Sequence, residues 1–403
     1  MKFNFIVILL LSTISYSQKG NTVMKKGSWN ASLQLNSIDY LPFNIKVKNN
    51  NTLIVVNANE EIQLEPALLK NDSLHYRFPY FNSELVLKNG KKKMYGYWVN
   101  HTKGSSYKIP FKAEKGRKKR FSHLVKSKKG SCFKGKWKVE FEPGTSSSYP
   151  AIGLFKQKRN HITGTFLTET GDYRYLDGNT TEDSLFLSCF DGSHAFLFKA
   201  NLLNDSLIGK FYSGNHWQST WGASRNNGFE LTNPETLTSL SKNKKIEFKF
   251  PNLNKDSIAF PDENYNGKVV IIQIMGTWCP NCLDESVYYK ELEEKYGDKG
   301  LEIISVCYES GSSIDSQISN VKRLQAKLQN NFTYLIGGSA KKNLASKHFS
   351  MLSEIISFPT SIFINKQGDV VRIHTGFNGP GTGEYYKKHK ERTSALLESL
   401  LID

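Results

Sequence analysis

The chain has 403 residues, of which 38% are hydrophobic and 12% are aromatic, and its formal net charge is +17. A chain of this length should form about two or three domains, each large enough to bury a hydrophobic core. Its five cysteines are too few for a small fold that depends on disulfide bonds, and their odd number leaves at least one thiol unpaired.

Residues 1–17 have the pattern of a cleaved secretory signal peptide. A short basic start precedes the apolar run Ile6-Val7-Ile8-Leu9-Leu10-Leu11, and small polar residues follow it. The apolar run is too short to cross a bilayer core of about 30 Å. Because no cysteine stands near the predicted cleavage site, we expect an exported protein, periplasmic or secreted, that is not a lipoprotein and has no stable membrane insertion.

Residues 27–233 are typical of β structure, because short runs alternate apolar and polar residues between Asn, Gly, Asp and Ser. Four short motifs also recur in the same order, roughly 110 residues apart. We therefore predict a duplicated β module, each copy a small barrel or sandwich, at residues 18–128 and 129–233. The matching segments are Gly27-Ser28-Trp29 and Gly135-Lys136-Trp137, Leu41-Pro42-Phe43 and Tyr149-Pro150-Ala151, Asp72-Ser73-Leu74 and Asp183-Ser184-Leu185, and Gly96-Tyr97-Trp98 and Gly209-Lys210-Phe211.

A dense basic run at residues 112–129 lies between the two predicted copies. Such a run can bind nucleic acid, or it can be a solvated linker. Because the chain begins with an export signal, we favour the linker and expect no nucleic acid partner.

The second copy contains four polar residues among aromatic ones, Asp172, Arg174, Asp191 and His194. They could form a face that binds a partner or a substrate. For the two aspartates we favour the alternative of turn formation, since Asp-Gly is common in hairpins. We expect no metal site at His194, because no second histidine or cysteine stands at the spacing of a ligand pair.

The C-terminal part, residues 246–403, alternates strand and helix patterns and predicts an α/β domain. The polar residues 234–245 precede it as a predicted exposed linker. The predicted elements are strands at 268–275, 301–306 and 334–336, helices at 283–296, 315–328 and 341–348, a hairpin of strands 360–365 and 370–374, and a final helix at 385–401.

The segment Trp278-Cys279-Pro280-Asn281-Cys282 lies at the first strand-to-helix turn of this domain. Cys279 is thereby placed at a helix N-terminus, where free backbone N–H groups and the helix dipole stabilise a thiolate. Cys282 follows nearly one turn later on the same face, so the sulfurs can form and break a disulfide with little backbone movement. We therefore predict a redox-active disulfide that requires no cofactor.

A structural zinc half-site is the alternative for this motif, but zinc needs four ligands and no second pair is present. The other cysteines are single. Cys307 ends an apolar strand and is predicted to be a buried structural thiol, whereas the pairing of Cys132 and Cys189 is left open by the sequence.

Residues 246–403 resemble the thioredoxin-fold domain of TlpA/ResA-like proteins, the exported thiol-disulfide oxidoreductases of bacteria. The resemblance rests on the Trp-Cys-x-x-Cys segment, on Phe358-Pro359-Thr360 before the hairpin, and on the extra helix and strand at 315–336. Glu285 matches a glutamate of ResA-like members near the active site. Two features depart from the family, namely Val287 in place of a frequent proline and the dipeptide Pro280-Asn281.

This resemblance implies that Pro359 is cis, that Phe358 and Trp278 flank the substrate, and that the protein acts as a reductase. We predict that Cys279 attacks a substrate disulfide and that Cys282 then resolves the mixed disulfide. Glu285 lies at i+3 from Cys282 and could accept its proton. The spacing alone allows an ordinary solvated helix residue equally well.

The expected partners are protein thiols and disulfides, together with an upstream electron donor for which a membrane-bound protein is one candidate. Two other functions fit the sequence less well. A thiol peroxidase would carry a proline five residues before Thr277, which is absent, and it would not need Cys282. In a binding protein, the β modules would recruit a dedicated redox partner.

Overall fold

The computed structural model describes residues 24–49, 52–89, 92–104, 106–116, 120, 121, 124 and 131–402. The predicted signal peptide and most of the basic run at 112–129 lie outside the described residues. Among the helices of the described part, none is both long enough and apolar enough to cross a membrane.

The first sheet contains nine antiparallel strands, which follow the predicted alternation of buried and exposed residues. These strands are β1 (Gly27–Gln34), β2 (Tyr40–Val47), β3 (Leu53–Asn57), β4 (Glu60–Gln63), β5 (Leu68–Lys70), β6 (Ser73–Arg77), β7 (Ser83–Asn89), β8 (Lys93–Asn100) and β9 (Lys108–Lys115). Their order is β4-β3-β2-β1-β9-β8-β7-β6-β5, so β4 and β5 are the two edges of an open sheet.

The second sheet also has nine strands. Eight of them close into a barrel, because the strand order β11-β10-β18-β17-β16-β15-β14-β12 returns to its start where β12 pairs with β11. The strands are β10 (Gly135–Phe141), β11 (Tyr149–Lys158), β12 (His161–Thr168), β13 (Gly171–Asp172), β14 (Leu176–Thr180), β15 (Ser184–Phe190), β16 (Ala195–Leu203), β17 (Ser206–Ser213) and β18 (Trp217–Arg225). Strand β13 is an edge strand that extends from β12. We refer to this unit as the barrel.

The repeat seen in the sequence is present in the structure. Trp29 and Trp137 occupy the third position of β1 and β10, and each indole N–H donates to the carbonyl four residues earlier, at 3.0 and 2.8 Å. Pro42 pairs with Ser32 across β1 and β2. Pro150 pairs with the equivalent residue of β10. The duplicated β region is therefore confirmed, with one copy open and the other closed.

The C-terminal domain has a five-stranded sheet of order β23-β22-β21-β24-β25, in which only β21, β22 and β23 are parallel. A small hairpin precedes it, and the arrangement is the predicted thioredoxin fold. The strands are β19 (Phe248–Pro251), β20 (Ser257–Phe260), β21 (Val269–Met275), β22 (Leu301–Glu309), β23 (Thr333–Ser339), β24 (Thr360–Ile364) and β25 (Val370–Thr375), and the helices are α1 (Pro280–Tyr296), α2 (Ile314–Leu328), α3 (Lys342–His348) and α4 (Glu384–Ile402).

Helix α1 begins three residues earlier than the sequence pattern predicts. Cys279 is its N-cap, and Pro280 occupies the first turn. A proline costs no hydrogen bond there, because a backbone N–H in the first turn has no partner within the helix. Strand β21 is buried along its whole length, as expected for the central strand of a sheet that is covered by helices.

The segment 234–245 is less exposed than the predicted linker. The Thr238 side chain is only 2% exposed, and the backbone of Leu240 pairs with Leu352 of the C-terminal domain. The carbonyl of Pro234 accepts a hydrogen bond from Thr375 N–H at 3.1 Å. Only residues 241–245 are exposed throughout, so the first half of this segment is part of the C-terminal domain's surface.

Candidate active site

The two cysteines of the Cys-x-x-Cys segment lie at the C-terminal end of β21, where the chain turns into α1. The backbone N–H of Cys282 donates to the Cys279 sulfur at 3.3 Å, so the sulfur caps the helix. The Cys279 thiol donates to the carbonyl of Phe358 at 3.5 Å. All five cysteines of the chain are free thiols in this structure.

Both thiols are poorly accessible. Cys279 is 7% exposed and Cys282 is fully buried. Burial raises the pKa of the Cys282 thiol well above its ordinary value, and the neighbouring Cys279 and Glu285 add to this rise. Cys282 therefore remains protonated at neutral pH and requires a proton acceptor before it can act as a nucleophile.

Glu285 is fully buried, which excludes the alternative of a solvated helix residue. Its carboxylate accepts hydrogen bonds from Gln273 Nε2 at 2.9 Å and from the Tyr289 hydroxyl at 3.2 Å. Burial raises the pKa of Glu285 to about 7, although these hydrogen bonds oppose the rise. A carboxyl group with this pKa can take up or release a proton near neutral pH.

Two polar residues that support the motif were missed by the sequence analysis. Gln273, in the middle of β21, donates to the Cys282 carbonyl at 3.4 Å. Glu309, at the end of β22, accepts hydrogen bonds from the backbone N–H and the hydroxyl of Thr277, both at 2.6 Å. Burial raises the pKa of Glu309 to about 7. The available signal was Gln273 as the single polar residue of the apolar strand β21, whereas Glu309 is one of three polar residues of β22 and gave no comparable signal.

The predicted substrate-binding residues lie together beside Cys279. The Phe358-Pro359 bond is cis, as the resemblance implied. The ring of Phe358 packs edge-on against Trp278, with 6.0 Å between centroids, and stacks on Tyr308 at 5.5 Å. The Trp278 indole N–H donates to the Tyr308 carbonyl at 3.0 Å, which fixes the tryptophan over this loop.

Of the four polar residues of the second copy, Asp172 and Arg174 contact the C-terminal domain, Asp172 at Asn281 and Gly379 and Arg174 at Pro280 and Asp284. Asp172 and Asp191 do form turns, as favoured from the sequence, since they accept backbone N–H groups two residues later at 2.6 and 2.8 Å. The Asp172 side chain also accepts from Asn281 of the Cys-x-x-Cys segment at 3.4 Å, which sequence reasoning did not predict. Within the part of the chain that the structure describes, no cluster of three or more metal-ligating residues includes His194.

Arg174 is a charged residue of the barrel that pairs with α1, and it is only 4% exposed. Its guanidinium donates to the Pro280 carbonyl at 3.4 Å and to Glu60 of the first sheet at 2.7 Å. It also pairs with Asp284 of α1 and lies 3.7 Å from Asp191. The guanidinium therefore joins the first sheet, the barrel and the redox helix.

The C-terminal region is similar in sequence to known redox proteins. The family profile described as Redoxin matches residues 241–388. The thiol-disulfide oxidoreductase ResA of Bacillus thuringiensis subsp. konkukian is 33% identical over 113 residues, which cover 27% of this chain and 56% of that protein. ResA of Halalkalibacterium halodurans is 27% identical over 133 residues, which cover 32% and 66% of the two chains.

A solved structure of a thiol:disulfide interchange protein of the thioredoxin family from Chlorobium tepidum is 17% identical. It covers 38% of this chain and 97% of that one, with a TM-score of 0.28. The curated relatives match over less than two thirds of their own length. The resemblance of the C-terminal region to TlpA/ResA-like thiol-disulfide oxidoreductases is confirmed.

Proposed function

We propose that this protein is an exported thiol-disulfide oxidoreductase that reduces disulfide bonds in other proteins through Cys279 and Cys282. One observation carries the proposal. Cys279 caps the N-terminus of α1 beside the Phe358 carbonyl, and the buried thiol of Cys282 follows one turn later next to Glu285. A nucleophile at a helix N-terminus with a second thiol behind it is the arrangement that disulfide exchange requires.

The reaction proceeds in two exchanges. The Cys279 thiolate attacks one sulfur of the substrate disulfide, forms a mixed disulfide with it, and expels the other substrate sulfur as a thiolate. The Cys282 thiolate then attacks the Cys279 sulfur and releases the second substrate sulfur. The substrate gains two electrons and two protons, and the enzyme is left with a Cys279–Cys282 disulfide. An upstream thiol donor, for which a membrane-bound protein is a candidate, returns two electrons to the enzyme.

Glu285 accepts the Cys282 proton in the second exchange. The charge of Glu285 helps to raise the pKa of the Cys282 thiol, so the two groups interact. The pKa of Glu285, about 7, suits proton transfer near neutral pH. Phe358, Pro359 and Trp278 surround the Cys279 sulfur and would contact the substrate on either side of its disulfide.

The proposal is tested by insulin reduction with dithiothreitol as electron donor. Cys279→Ser should abolish catalysis, and Cys282→Ser should accumulate a mixed disulfide with the substrate. Cys132→Ser, at an exposed cysteine, is the matched control and should retain full activity. Peroxide consumption by Cys282→Ser at the wild-type rate would instead indicate a thiol peroxidase.

Two buried glutamates with the same raised pKa allow the proton acceptor to be identified. In the wild-type protein, release from the mixed disulfide should accelerate as the pH rises through about 7, where Glu285 becomes ionised. Glu285→Gln should slow this release by about 10- to 100-fold, and the acceleration of release with rising pH should disappear. Glu309→Gln is the control. Equal slowing by both variants would show that Glu285 acts only through packing.

A further inference from the structure

The barrel covers the redox motif from several directions. The Ser193 hydroxyl donates to the Trp278 carbonyl at 2.9 Å, immediately before Cys279 in the chain. The Asp172 carboxylate accepts from Asn281, between the two cysteines, at 3.4 Å. On the side of the cis-proline loop, the Ser357 hydroxyl donates to the Thr170 carbonyl at 3.4 Å. We call residues 170–174 and 191–194 of the barrel the cover.

The cover lies beside a cysteine that has little exposed surface although it stands at a helix N-terminus. Disulfide exchange requires the attacking sulfur to approach along the line of the substrate's S–S bond, so the substrate must reach the sulfur directly. The structure leaves Cys279 only 7% exposed. Barrel residues lie next to the residues that precede and follow Cys279 and next to the loop before Pro359. In this arrangement the approach of a folded protein's disulfide to Cys279 is obstructed.

The contacts named here between the cover and the motif are polar, and water can replace such contacts when two surfaces separate. Arg174 provides the charged part of the contact. The guanidinium neutralises carboxylates from three different units, Glu60 from the first sheet, Asp191 from the barrel and Asp284 from α1. Without it, Glu60 and Asp284 would lose the cation that they share, and Asp191 would keep only His194 and the backbone N–H groups of its own turn. Separation of the barrel from α1 would relieve the repulsion among these carboxylates.

We propose that Arg174 is a positioning residue that determines which substrates reach the dithiol. By holding the cover over Cys279, it favours disulfides whose carrier protein displaces the barrel from α1, whereas other disulfides react only with the fraction of molecules in which the cover is open. The part of this inference that concerns substrates rests on the proposed function, whereas the covering of Cys279 does not.

The covering is tested by alkylation of the full-length reduced protein with iodoacetamide, with each cysteine followed by mass spectrometry. Cys132 is exposed and serves as the reference within the same molecule. In the wild-type protein, Cys279 should be labelled more slowly than Cys132. Arg174→Met should accelerate labelling of Cys279 by about tenfold or more, since removal of one partner from a buried ion pair is strongly destabilising.

Arg120→Met is the matched control for a buried arginine. Arg120 pairs with Asp177 at 3.3 Å and donates to the Ser188 carbonyl at 2.8 Å, so its contacts lie within the β region. This substitution should leave labelling of Cys279 unchanged. Arg174→Lys keeps the charge and should give an intermediate rate. If Arg174→Met does not fold, Ser193→Ala provides the test, because it removes only the hydrogen bond to Trp278 and should accelerate labelling severalfold.

The substrate arm uses insulin and bis(2-hydroxyethyl) disulfide, neither of which is expected to displace the barrel. Arg174→Met should increase kcat/KM for both by the same factor as alkylation, because all three reactions depend on the same open fraction. Wild-type labelling of Cys279 as fast as that of Cys132, or no acceleration in Arg174→Met and Ser193→Ala, would overturn the inference. If Arg174→Met accelerates labelling of Cys279 as expected but neither disulfide is reduced, the proposed function is refuted and the covering of Cys279 still holds.

Discussion

The two copies of the β module share strand order and pairing, yet only the second closes. In the barrel, β11 pairs with β12 along eight residue pairs, from Ala151↔Thr168 to Lys158↔His161. In the first copy, β2 also pairs with β3, over four residue pairs, but among the residues that the structure describes no pairing equivalent to that of β12 with β14 joins the edge strands β4 and β5. The same repeated motifs are therefore compatible with a closed barrel and with an open sheet.

The difference decides how each copy buries its apolar face. The closed copy has a separate core that includes Trp137, Phe166 and Phe198. The apolar face of the open copy is part of one continuous core with the C-terminal domain. Phe190 of the barrel enters that shared core, where its ring lies 4.7 Å from Phe43 and 5.1 Å from Trp98. Closure makes a module self-sufficient, and an open sheet depends on its neighbours.

The largest difference between the two copies should appear in thermal unfolding when each copy is produced as a separate fragment. A fragment of residues 131–230 should unfold in a cooperative thermal transition, because it contains the complete barrel core. A fragment of residues 24–116 should not, because its apolar face has lost its partners. Circular dichroism melts of the two fragments test this, and a cooperative melt of the 24–116 fragment would contradict the comparison.

Substitution of the two equivalent tryptophans should destabilise different parts of the protein. Trp29→Ala and Trp137→Ala each remove a fully buried indole and should cost about 3–5 kcal/mol. Because the cores are separate, Trp137→Ala should raise hydrogen exchange mainly within the barrel. Trp29→Ala should raise it in the first sheet and in the C-terminal domain as well. Exchange that is confined to the first sheet in Trp29→Ala would argue against a shared core.

Closure itself can be broken at one glycine. A Cβ atom at Gly164 of β12 would lie 2.0 Å from the backbone oxygen of Leu154 in β11, so the two strands would have to move apart. Gly164→Ala should therefore destabilise the barrel by about 1–3 kcal/mol. Gly222→Ala is the control in the same barrel, where the nearest atom is 3.6 Å from the added Cβ. Equal urea midpoints for the two variants would contradict this prediction.

The smallest effect is a difference in pH dependence between the copies. Burial, followed by the nearby Asp284, raises the pKa of Asp172 in the closed copy to about 6. The stability that this carboxyl contributes is complete below its unfolded value of 3.8 and is lost as the pH rises through about 6. In the first copy, burial favours a higher pKa for Glu84, but hydrogen bonds from His75 and His101 lower it overall. Its contribution is present above the unfolded value of 4.5 and is lost as the pH falls.

Urea unfolding across pH should separate these two groups. Asp172→Asn should reduce the wild-type loss of stability between about pH 4 and pH 7. Glu84→Gln should reduce the loss of stability on acidification below about pH 5. Parallel pH profiles for the wild-type protein and Asp172→Asn would show that Asp172 is ionised in the folded protein throughout this range.

The sequence by itself determined the features that depend on neighbouring residues. Alternation of apolar and polar residues identified the β region, the repeat placed Trp29 and Trp137 in equivalent strands, and the strand-to-helix turn placed Cys279 at a helix N-terminus. The position of Glu285 near Cys282 also followed from helical spacing. These features are set by periodicities of two and about 3.6 residues, which are visible within a short segment.

Only the tertiary structure decided which strands close, which cores are shared and what covers the dithiol. Arg174 and Pro280 are separated by 106 positions in the chain, and Arg174 and Glu60 by 114. Short-range patterns carry no information about such contacts, because turn-forming aspartates such as Asp172 have the same sequence signature whether or not another domain packs on them. The buried charge of Arg174 is favourable only where carboxylates from three units converge, and that convergence is a property of the folded chain.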